Sequence, residues 1–277
     1  MHGAREDVRI DAAPTRLIGA ADIARALADL GVGRDDALLV HSGLRGALRV
    51  DGASAAEKAD TVIDGLSAAV PAGILAMPTF TYSFCLGEDF DLDASPSTVG
   101  ALGERFRGRP GVRRTADPLF STAVQGRVPY GWEEPLFSMG DKDCFGGESV
   151  FALLREARGK VVFLGVGFEF CTFVHHVEQR LDVPYRFPKP FHGRVHSAAE
   201  GTREATATYY VRPLDEDVEP FLDPLRDALL ANGGARGAVL GDGLELLVAD
   251  TDAIAATAAR CLDENPDFLL TRGHALV

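Results

Sequence analysis

Short apolar runs alternate with amphipathic segments from the start of the chain. This alternation restricts the folds that the chain can adopt more than any other feature of the sequence. Residues 21–31 predict an amphipathic helix, and residues 37–40 predict a short buried strand. The pattern repeats with a helix over 53–69 and a strand over 73–78, which Pro78 ends. A chain that begins with two such repeats is expected to build a sheet with helices on its faces.

Later segments extend this alternation and then change it. The spacing predicts helices over 151–158, 172–181, 218–230 and 251–262, strands over 160–166 and 203–211, and a hairpin from 237–240 and 245–249. These elements predict a mixed α/β fold with a largely parallel central sheet flanked by helices and an antiparallel C-terminal addition. We expect residues 1–277 to form one domain, or two closely joined lobes. The irregular regions 79–97 and 108–147 are long enough to be functional loops.

The composition of the chain restricts which ligands the protein can bind and where it is expected to be found. A net charge of −13 disfavours nucleic acid and suits a cationic substrate, although acidity that serves only solubility is the more common case. The apolar runs fall far short of the roughly 20 residues that a membrane span needs, and the first residues lack an apolar signal, so we expect a cytoplasmic protein. Four scattered cysteines, with no Cys-x-x-Cys pair, predict reduced thiols.

The strongest local signal for chemistry is a histidine and a glutamate three residues apart on the predicted helix that follows strand 160–166. That spacing puts His175 and Glu178 on one face, and the helix begins where ligands of open α/β sheets bind. A carboxylate can orient the imidazole and keep its pKa near working pH, so the pair predicts a general base. The alternative is an ordinary amphipathic helix, and His176 points about 100° away from His175, where it would contact another part of the fold.

Two other kinds of chemistry are open at this point. His175, His176, Glu178, His192 and His196 could form the zinc site of a metal-dependent hydrolase, but no His-Glu-x-x-His pair is present, so we predict no metal. Cys171 lies four residues before His175 and could be a nucleophile that carries an acyl group, or simply a buried apolar residue.

Several motifs in one order resemble the aminoglycoside 3-N-acetyltransferase family over most of the chain. They are Leu39-Val-His41-Ser42-Gly-Leu44, Met77-Pro-Thr79-Phe-Thr81-Tyr82, Asp93-x-Ser95-Pro96-Ser-Thr-Val-Gly100, Arg114-Thr115-Ala-Asp117-Pro118-x-x-Ser121, Gly147-Glu-Ser149 and Thr172-x-x-His175-x-x-Glu178. The resemblance implies the fold of the antibiotic N-acetyltransferases, an acyltransferase that uses acetyl-coenzyme A, and a primary amine as acceptor.

The resemblance also implies roles for particular residues. It places the catalytic base on His175 and its partner on Glu178. The pantetheine channel is expected along His41, Ser42 and Leu44, with Thr79 and Thr115 nearby and Arg114 as a cation for the cofactor phosphates. Thr115 is also a candidate for holding the oxyanion, and Tyr82 is a candidate for contact with the acceptor.

Two departures from the family pattern concern the acceptor. Asp117 stands where the family commonly has a histidine, so its carboxylate could bind an ammonium group or could start a turn before Pro118. Arg186 and Lys189 lie in a stretch closer to relatives that act on modified sugars, and they could meet an anionic acceptor. The expected acceptor is therefore an aminoglycoside, an amino sugar or a related natural-product amine. A role in antibiotic resistance or in biosynthesis, and the oligomeric state, a homodimer included, are left open.

Overall fold

The two predicted αβ repeats lie at the centre of the fold in the computed structural model, which describes residues 17–43, 49–214, 218–241 and 243–274. The strands are β1 (Ala37–Ser42), β2 (Ile74–Pro78), β3 (Phe90–Asp91), β4 (Val112–Arg114), β5 (Thr122–Gln125), β6 (Lys142–Asp143), β7 (Lys160–Leu164), β8 (Phe187–Ser197), β9 (Gly201–Val211), β10 (Ala235–Leu240) and β11 (Leu244–Asp250). The α-helices are α1 (Ala20–Asp29), α2 (Ala55–Ala69), α3 (Ala101–Arg107), α4 (Glu133–Phe137), α5 (Val150–Glu156), α6 (Phe173–Arg180), α7 (Asp223–Asn232) and α8 (Thr251–Glu264).

The main sheet has seven strands in the order β10-β11-β7-β1-β2-β5-β4. Strand β1 pairs in parallel with β2 on one side and with β7 on the other, where His41 lies opposite Phe163. The remaining pairs are antiparallel, with the β10–β11 hairpin added beside β7 and the β5–β4 pair added beside β2. All three parallel strands therefore end at the same edge of the sheet.

Side chains that alternate along the central strands divide the core into two layers. On β1, Leu38 and Val40 face the layer formed with α1, α2 and α3. Leu39, on the opposite face, packs in the layer that includes α5, α6, α7 and α8. Burial on both faces explains why these strands read as continuous apolar runs in the sequence.

Polar side chains near the helix starts fix where several helices begin. Ser54 accepts a hydrogen bond from the Glu57 amide at the start of α2, and Ser149 accepts one from the Ala152 amide at the start of α5. These N-caps satisfy amides that have no partner within the helix.

A second sheet of four strands, in the order β3-β8-β9-β6, packs on the same core layer as α5 to α8. Its centre is the long β8–β9 hairpin, whose inward residues Val195 and Ala207 are fully buried. Residues from both sheets thus share one hydrophobic core. The expectation of one domain or two closely joined lobes stays a prediction.

The predicted fold class is confirmed, with a parallel centre and an antiparallel C-terminal hairpin. The prediction was incomplete where strands are short or contain proline: β8 was not predicted, since Pro188 and Pro190 interrupt its apolar pattern. The region 108–147 also holds β4, β5, β6 and α4 rather than only loop. Among the described residues, no helix is long and apolar enough to cross a membrane.

We predict that Leu39→Ala lowers the free energy of unfolding by about 3 kcal/mol, because it removes a side chain that is 1% exposed from the most central strand. Leu86→Ala is the matched control, since Leu86 is 64% exposed and should change stability by less than about 0.5 kcal/mol. Urea denaturation followed by circular dichroism measures both. Equal losses in the two variants would contradict the packing described here.

Candidate active site

A cavity of about 1010 Å³ opens at the edge where the three parallel strands end. Ser42 at the end of β1, Pro78 at the end of β2 and Gly165 after β7 all line it. A Cβ atom on Gly43 would lie 2.6 Å from the Val166 side chain and 2.8 Å from the Gly165 carbonyl oxygen, so only glycine lets the end of β1 and the turn after β7 approach this closely. The position is the one where open α/β sheets bind ligands.

His175 lies in the first turn of α6 and reaches this cavity. Its Nδ1 atom is 2.7 Å from Oε2 of Glu178, one helical turn later. The Glu178 side chain is 2% exposed, whereas the His175 side chain is 22% exposed. The carboxylate therefore holds the ring from the protein side, and the ring reaches the cavity.

Glu178 has two further partners in the chain that follows α6. The Tyr185 hydroxyl donates to Oε1 at 3.2 Å, and Nε of Arg186 lies 2.8 Å from Oε2. The Arg186 N–H is not aligned for a hydrogen bond, so this contact is an ion pair. Burial by itself raises the pKa of Glu178, but the hydrogen bond with His175 and the charge of Arg186 outweigh it, so the pKa is lowered. Glu178 is therefore ionised at neutral pH.

The same surroundings determine the state of His175. Burial and then the Arg186 guanidinium lower its pKa below 6.5, and the hydrogen bond and charge of Glu178 offset only part of this effect. The imidazole is thus neutral at pH 7. An ionised carboxylate can only accept a hydrogen bond, so Nδ1 carries the proton and donates a hydrogen bond to Glu178. Nε2 is then unprotonated and keeps its lone pair. The arrangement can remove a proton from a group bound in the cavity.

Of the residues that the resemblance assigned to the cofactor, His41 and Ser42 line the cavity. His41 stacks on Phe163 and is 7% exposed, and burial lowers its pKa to about 4, so its ring is neutral. Its Nε2 atom is buried without a hydrogen-bond partner among the described residues. Leu44, the third residue of that motif, lies outside the described residues.

Thr79, Arg114 and Thr115 are not among the residues that line this cavity, and their assignment to the cofactor stays a prediction. The Arg114 guanidinium is buried and donates to the Thr79 carbonyl and the Ser95 carbonyl, as well as to the Ser121 hydroxyl. The Thr79 hydroxyl donates to the Ser121 carbonyl, and the Thr115 hydroxyl accepts from the Thr122 amide. These hydrogen bonds hold β4, β5 and the chain after β2 together.

Tyr82 lines the cavity, as expected for a residue that contacts the acceptor. Its backbone has a left-handed φ of 54°, which is uncommon for a bulky residue. Burial raises the pKa of its hydroxyl to about 12, so the phenol is neutral. Its ring packs edge-on against Phe80 and Phe120.

Asp117 lies in a second cavity of about 480 Å³ and is not among the residues that line the cavity of His175. Its Oδ1 atom accepts from the Leu119 and Phe120 amides at 2.8 Å, and the Cys144 thiol donates to the same atom. Burial raises the pKa of this carboxyl, although these hydrogen bonds oppose the shift. Asp117 therefore forms the turn at Pro118, which was the alternative to its predicted contact with the acceptor.

The imidazoles considered as zinc ligands lie on two different elements, α6 and β8. His176 is buried on α6 and is 2.7 Å from the Phe145 carbonyl, so it packs the core as predicted. On β8, His192 pairs with Thr206, and His196 pairs with Thr202 and Asp89. Within the described ranges no three His, Cys, Asp or Glu residues are arranged to hold a metal ion. A hydrolytic zinc site gains no support from this geometry.

Cys171 borders the cavity but is poorly suited to nucleophilic attack. Its side chain is buried, and burial raises its pKa to about 12. Since the thiolate is the nucleophile, almost none would be present at neutral pH.

The sequence analysis did not identify the roles of Arg186 and Tyr185 as partners of Glu178, or the position of Glu169 in the cavity. Arg186, taken as a candidate for an anionic acceptor, is instead the buried ion-pair partner of Glu178, and Tyr185 is a second partner. The exposed Lys189 contacts Phe191 on the hairpin. Glu169 also lines the cavity of His175. Of these, only Glu169 carried a signal in the sequence, because it lies between the strand 160–166 and the predicted helix of the base.

Comparison with known proteins identifies the family to which this chain is similar. The family "aminoglycoside 3-N-acetyltransferase" matches residues 39–262. Aminoglycoside N(3)-acetyltransferase IV of Salmonella sp. is 31% identical over 172 residues, or 61% of this chain and 62% of that protein. Aminoglycoside N(3)-acetyltransferase VIII of Streptomyces fradiae is 26% identical and covers 78% of this chain and 82% of its own length.

Among solved structures, the binary complex of AAC-IIIb with CoASH superposes with a TM-score of 0.72 at 25% identity. The superposition covers 90% of this chain and 97% of AAC-IIIb. The sequence match with aminoglycoside N(3)-acetyltransferase IV is shorter than this superposition, because it spans somewhat less than two thirds of that protein's length.

We predict that the His175 imidazole titrates below pH 6.5 and that Glu178→Gln lowers its pKa further, since Glu178 is the group that raises it. Long-range ¹H–¹⁵N spectra of the imidazoles measure both values and report the tautomer, with His175→Ala to assign the signal. His192 on the hairpin is the internal reference and should not respond to the substitution. An upward shift of the His175 pKa in Glu178→Gln would refute the electrostatic description of the pair.

Proposed function

The chain belongs to the aminoglycoside 3-N-acetyltransferase family, and from this premise we propose that it transfers an acetyl group from acetyl-coenzyme A to a primary amine of an aminoglycoside or related amino sugar. One observation is the main support for the proposed reaction. A neutral imidazole, oriented by a buried carboxylate, lies in a large cavity at the ends of the parallel strands. Base-assisted attack of an amine on a thioester requires such a group.

The cavity has features that suit the pantetheine arm of the donor. At Ser42 and Gly43 it adjoins a further cavity of about 620 Å³, which begins at the N-terminus of α2 and includes Lys58. The His41 ring lines this side of the cavity. Gly43 and Gly165 line this side of the cavity and place no side chain in the path of a narrow chain. We assign the donor to this side of the cavity and the acceptor to the side of Tyr82.

The reaction follows from the position of the base. His175 Nε2 takes a proton from the acceptor's amino group, and the nitrogen lone pair forms a bond to the carbonyl carbon of the thioester. The bond between that carbon and sulfur then breaks, and the sulfur leaves as a thiolate that takes up a proton. Glu178 remains ionised and stabilises the imidazolium while it exists. Direct transfer does not require the Cys171 sulfur.

Binding of the donor is the first test of this function. Acetyl-coenzyme A at about 100 times its dissociation constant should stabilise the folded protein by about 2.7 kcal/mol, which thermal or chemical denaturation measures. The shift should be the same after exhaustive treatment with a chelator, because the proposed residues use no metal. ATP at the same concentration is the control for a generic effect of phosphates. A protein that responds to neither coenzyme A nor acetyl-coenzyme A would not support the proposal.

Substitution of the base tests the mechanism. His175→Ala should bind acetyl-coenzyme A normally and lose about 100- to 10,000-fold in kcat, which is the usual contribution of a positioned general base. Glu178→Gln should lose less activity, because the imidazole stays in place. Release of free thiol in the presence of an amine panel measures turnover.

Two controls separate this mechanism from its alternatives. Cys171→Ala should retain most activity, and an inactive but folded Cys171→Ala variant would favour an acyl-enzyme instead. Glu178→Gln leaves the buried Arg186 without its ion-pair partner, at a cost of about 3–5 kcal/mol in stability. Its rates therefore need to be measured where circular dichroism shows it to be folded. Full activity in His175→Ala would overturn the assignment of the base.

A further inference from the structure

Helix α6, which carries the proposed base, has a second pair of polar side chains directly beside the first. His176 and Gln179 have the same three-residue spacing as His175 and Glu178, so they share a neighbouring face of the helix. His175 lines the catalytic cavity, whereas His176 and Gln179 are not among the residues that line it. The mechanism proposed above uses only His175 and Glu178, which leaves the second pair without a role.

The second pair binds the segment that connects β6 to α5. Nδ1 of His176 lies 2.7 Å from the Phe145 carbonyl oxygen, and because a carbonyl can only accept, Nδ1 donates this hydrogen bond. The Gln179 amide donates to both carboxylate oxygens of Asp143 at 2.9 Å. His176 is 3% exposed, and burial lowers its pKa, so its ring is neutral at pH 7. Two side chains of α6 thus hold the backbone on both sides of Cys144.

Phe145, which is held in this way, packs against the proposed base. Its ring centroid lies 5.3 Å from that of His175, with the two ring planes at 77°, a favourable geometry for a pair of aromatic rings. Phe145 is fully buried and is not among the residues that line the cavity, so it contacts the imidazole from inside the protein. Phe120 and Phe151 also contact the Phe145 ring, at centroid distances of 4.6 and 4.9 Å. The ring therefore has little freedom to move.

This contact affects two properties of the imidazole on which base catalysis depends. The perpendicular ring restricts rotation of the His175 side chain, so Nδ1 stays on Glu178 and Nε2 keeps its direction. The ring also excludes water from one side of the imidazole, and burial is the largest cause of the lowered pKa of His175. Both the geometry and the proton affinity of the base therefore depend on where the Phe145 ring lies.

We propose that Phe145 is a positioning residue for the base, and that His176 and Gln179 hold it in place against His175. The inference rests on the proposed function, because the position of the His175 ring matters for turnover only if His175 is the base. One helix thus supplies the base, its carboxylate partner and the two side chains that fix the aromatic ring behind the base. Phe145 lies outside the cavity and acts through His175.

Phe145→Leu tests the role of the ring. With sisomicin as acceptor in the thiol-release assay, kcat should fall about 10- to 100-fold, the scale of a small misplacement of a reacting group, while the KM for acetyl-coenzyme A stays unchanged. The pKa of His175 should rise toward 6.5, because water reaches the imidazole, and the acidic limb of the kcat profile should move to higher pH. The charged groups around the imidazole are the same in this variant: Glu178, Arg186, and Glu169 and Glu245 on the cavity wall.

Variants of His176 test how the ring is held. His176→Leu removes the donor to the Phe145 carbonyl and should reproduce the rise in the His175 pKa and part of the loss in kcat. His176→Asn places an amide N–H near the position of Nδ1, so it should restore both values toward those of the wild type. Long-range ¹H–¹⁵N spectra measure the His175 pKa without turnover. If Phe145→Leu does not fold, the comparison of these two variants decides the inference.

Phe106→Leu is the matched control, because Phe106 is also fully buried but packs in the core layer formed with α1, α2 and α3. It should change neither the His175 pKa nor the pH profile. The inference is overturned if folded Phe145→Leu keeps the wild-type kcat and His175 pKa, or if Phe106→Leu shifts them equally. A wild-type His175 pKa in His176→Leu overturns the role of the second pair. A wild type that acetylates no amine refutes the proposed function, and the titration then decides the inference by itself.

Discussion

The buried carboxylate of Glu178 is the group on which the proposed chemistry depends. It is held by an ion pair with Arg186 and a hydrogen bond from Tyr185, and with its remaining capacity it accepts from His175. Burial by itself would favour the protonated acid, and the hydrogen bond with His175 together with the charge of Arg186 lowers the pKa of Glu178 instead. The guanidinium on the chain after α6 thus helps to keep Glu178 ionised, although it also lowers the pKa of His175.

This balance gives His175 a lower proton affinity than a simple histidine–carboxylate pair would suggest. The two charged neighbours act on the ring in opposite directions, and burial decides the result. The imidazole is therefore neutral at pH 7 with its Nε2 lone pair free to accept a proton, but its lowered pKa makes it a weaker base than an exposed histidine. The contacts of Glu178 with His175 and Arg186 also join α6 to the chain at the start of β8. The stability of this junction and the protonation state of His175 therefore depend on one set of contacts.

Several residues of the family motifs serve the architecture around the cavity rather than its surface. Arg114 joins the chain after β2 to β4 and to the loop at Ser95, and Asp117 closes the turn before β5. By contrast, His41 and Ser42 reach the cavity because β1 ends there, next to the ends of β2 and β7. A motif can thus mark a position in the fold without marking contact with a ligand.

The sequence by itself determined what depends on local order. The 3.6-residue period put His175 and Glu178 on one face, the apolar runs identified the central strands, and the order of the motifs identified the family. Tertiary structure alone decided which polar groups are paired, because the ion pair between Arg186 and Glu178 and the hydrogen bond from the Thr122 amide to Thr115 are set by how these segments pack. It also placed Asp117 in a different cavity from the base and Glu169 in the same cavity as the base. Burial and pairing are properties of the assembled core, and spacing along one chain does not encode them.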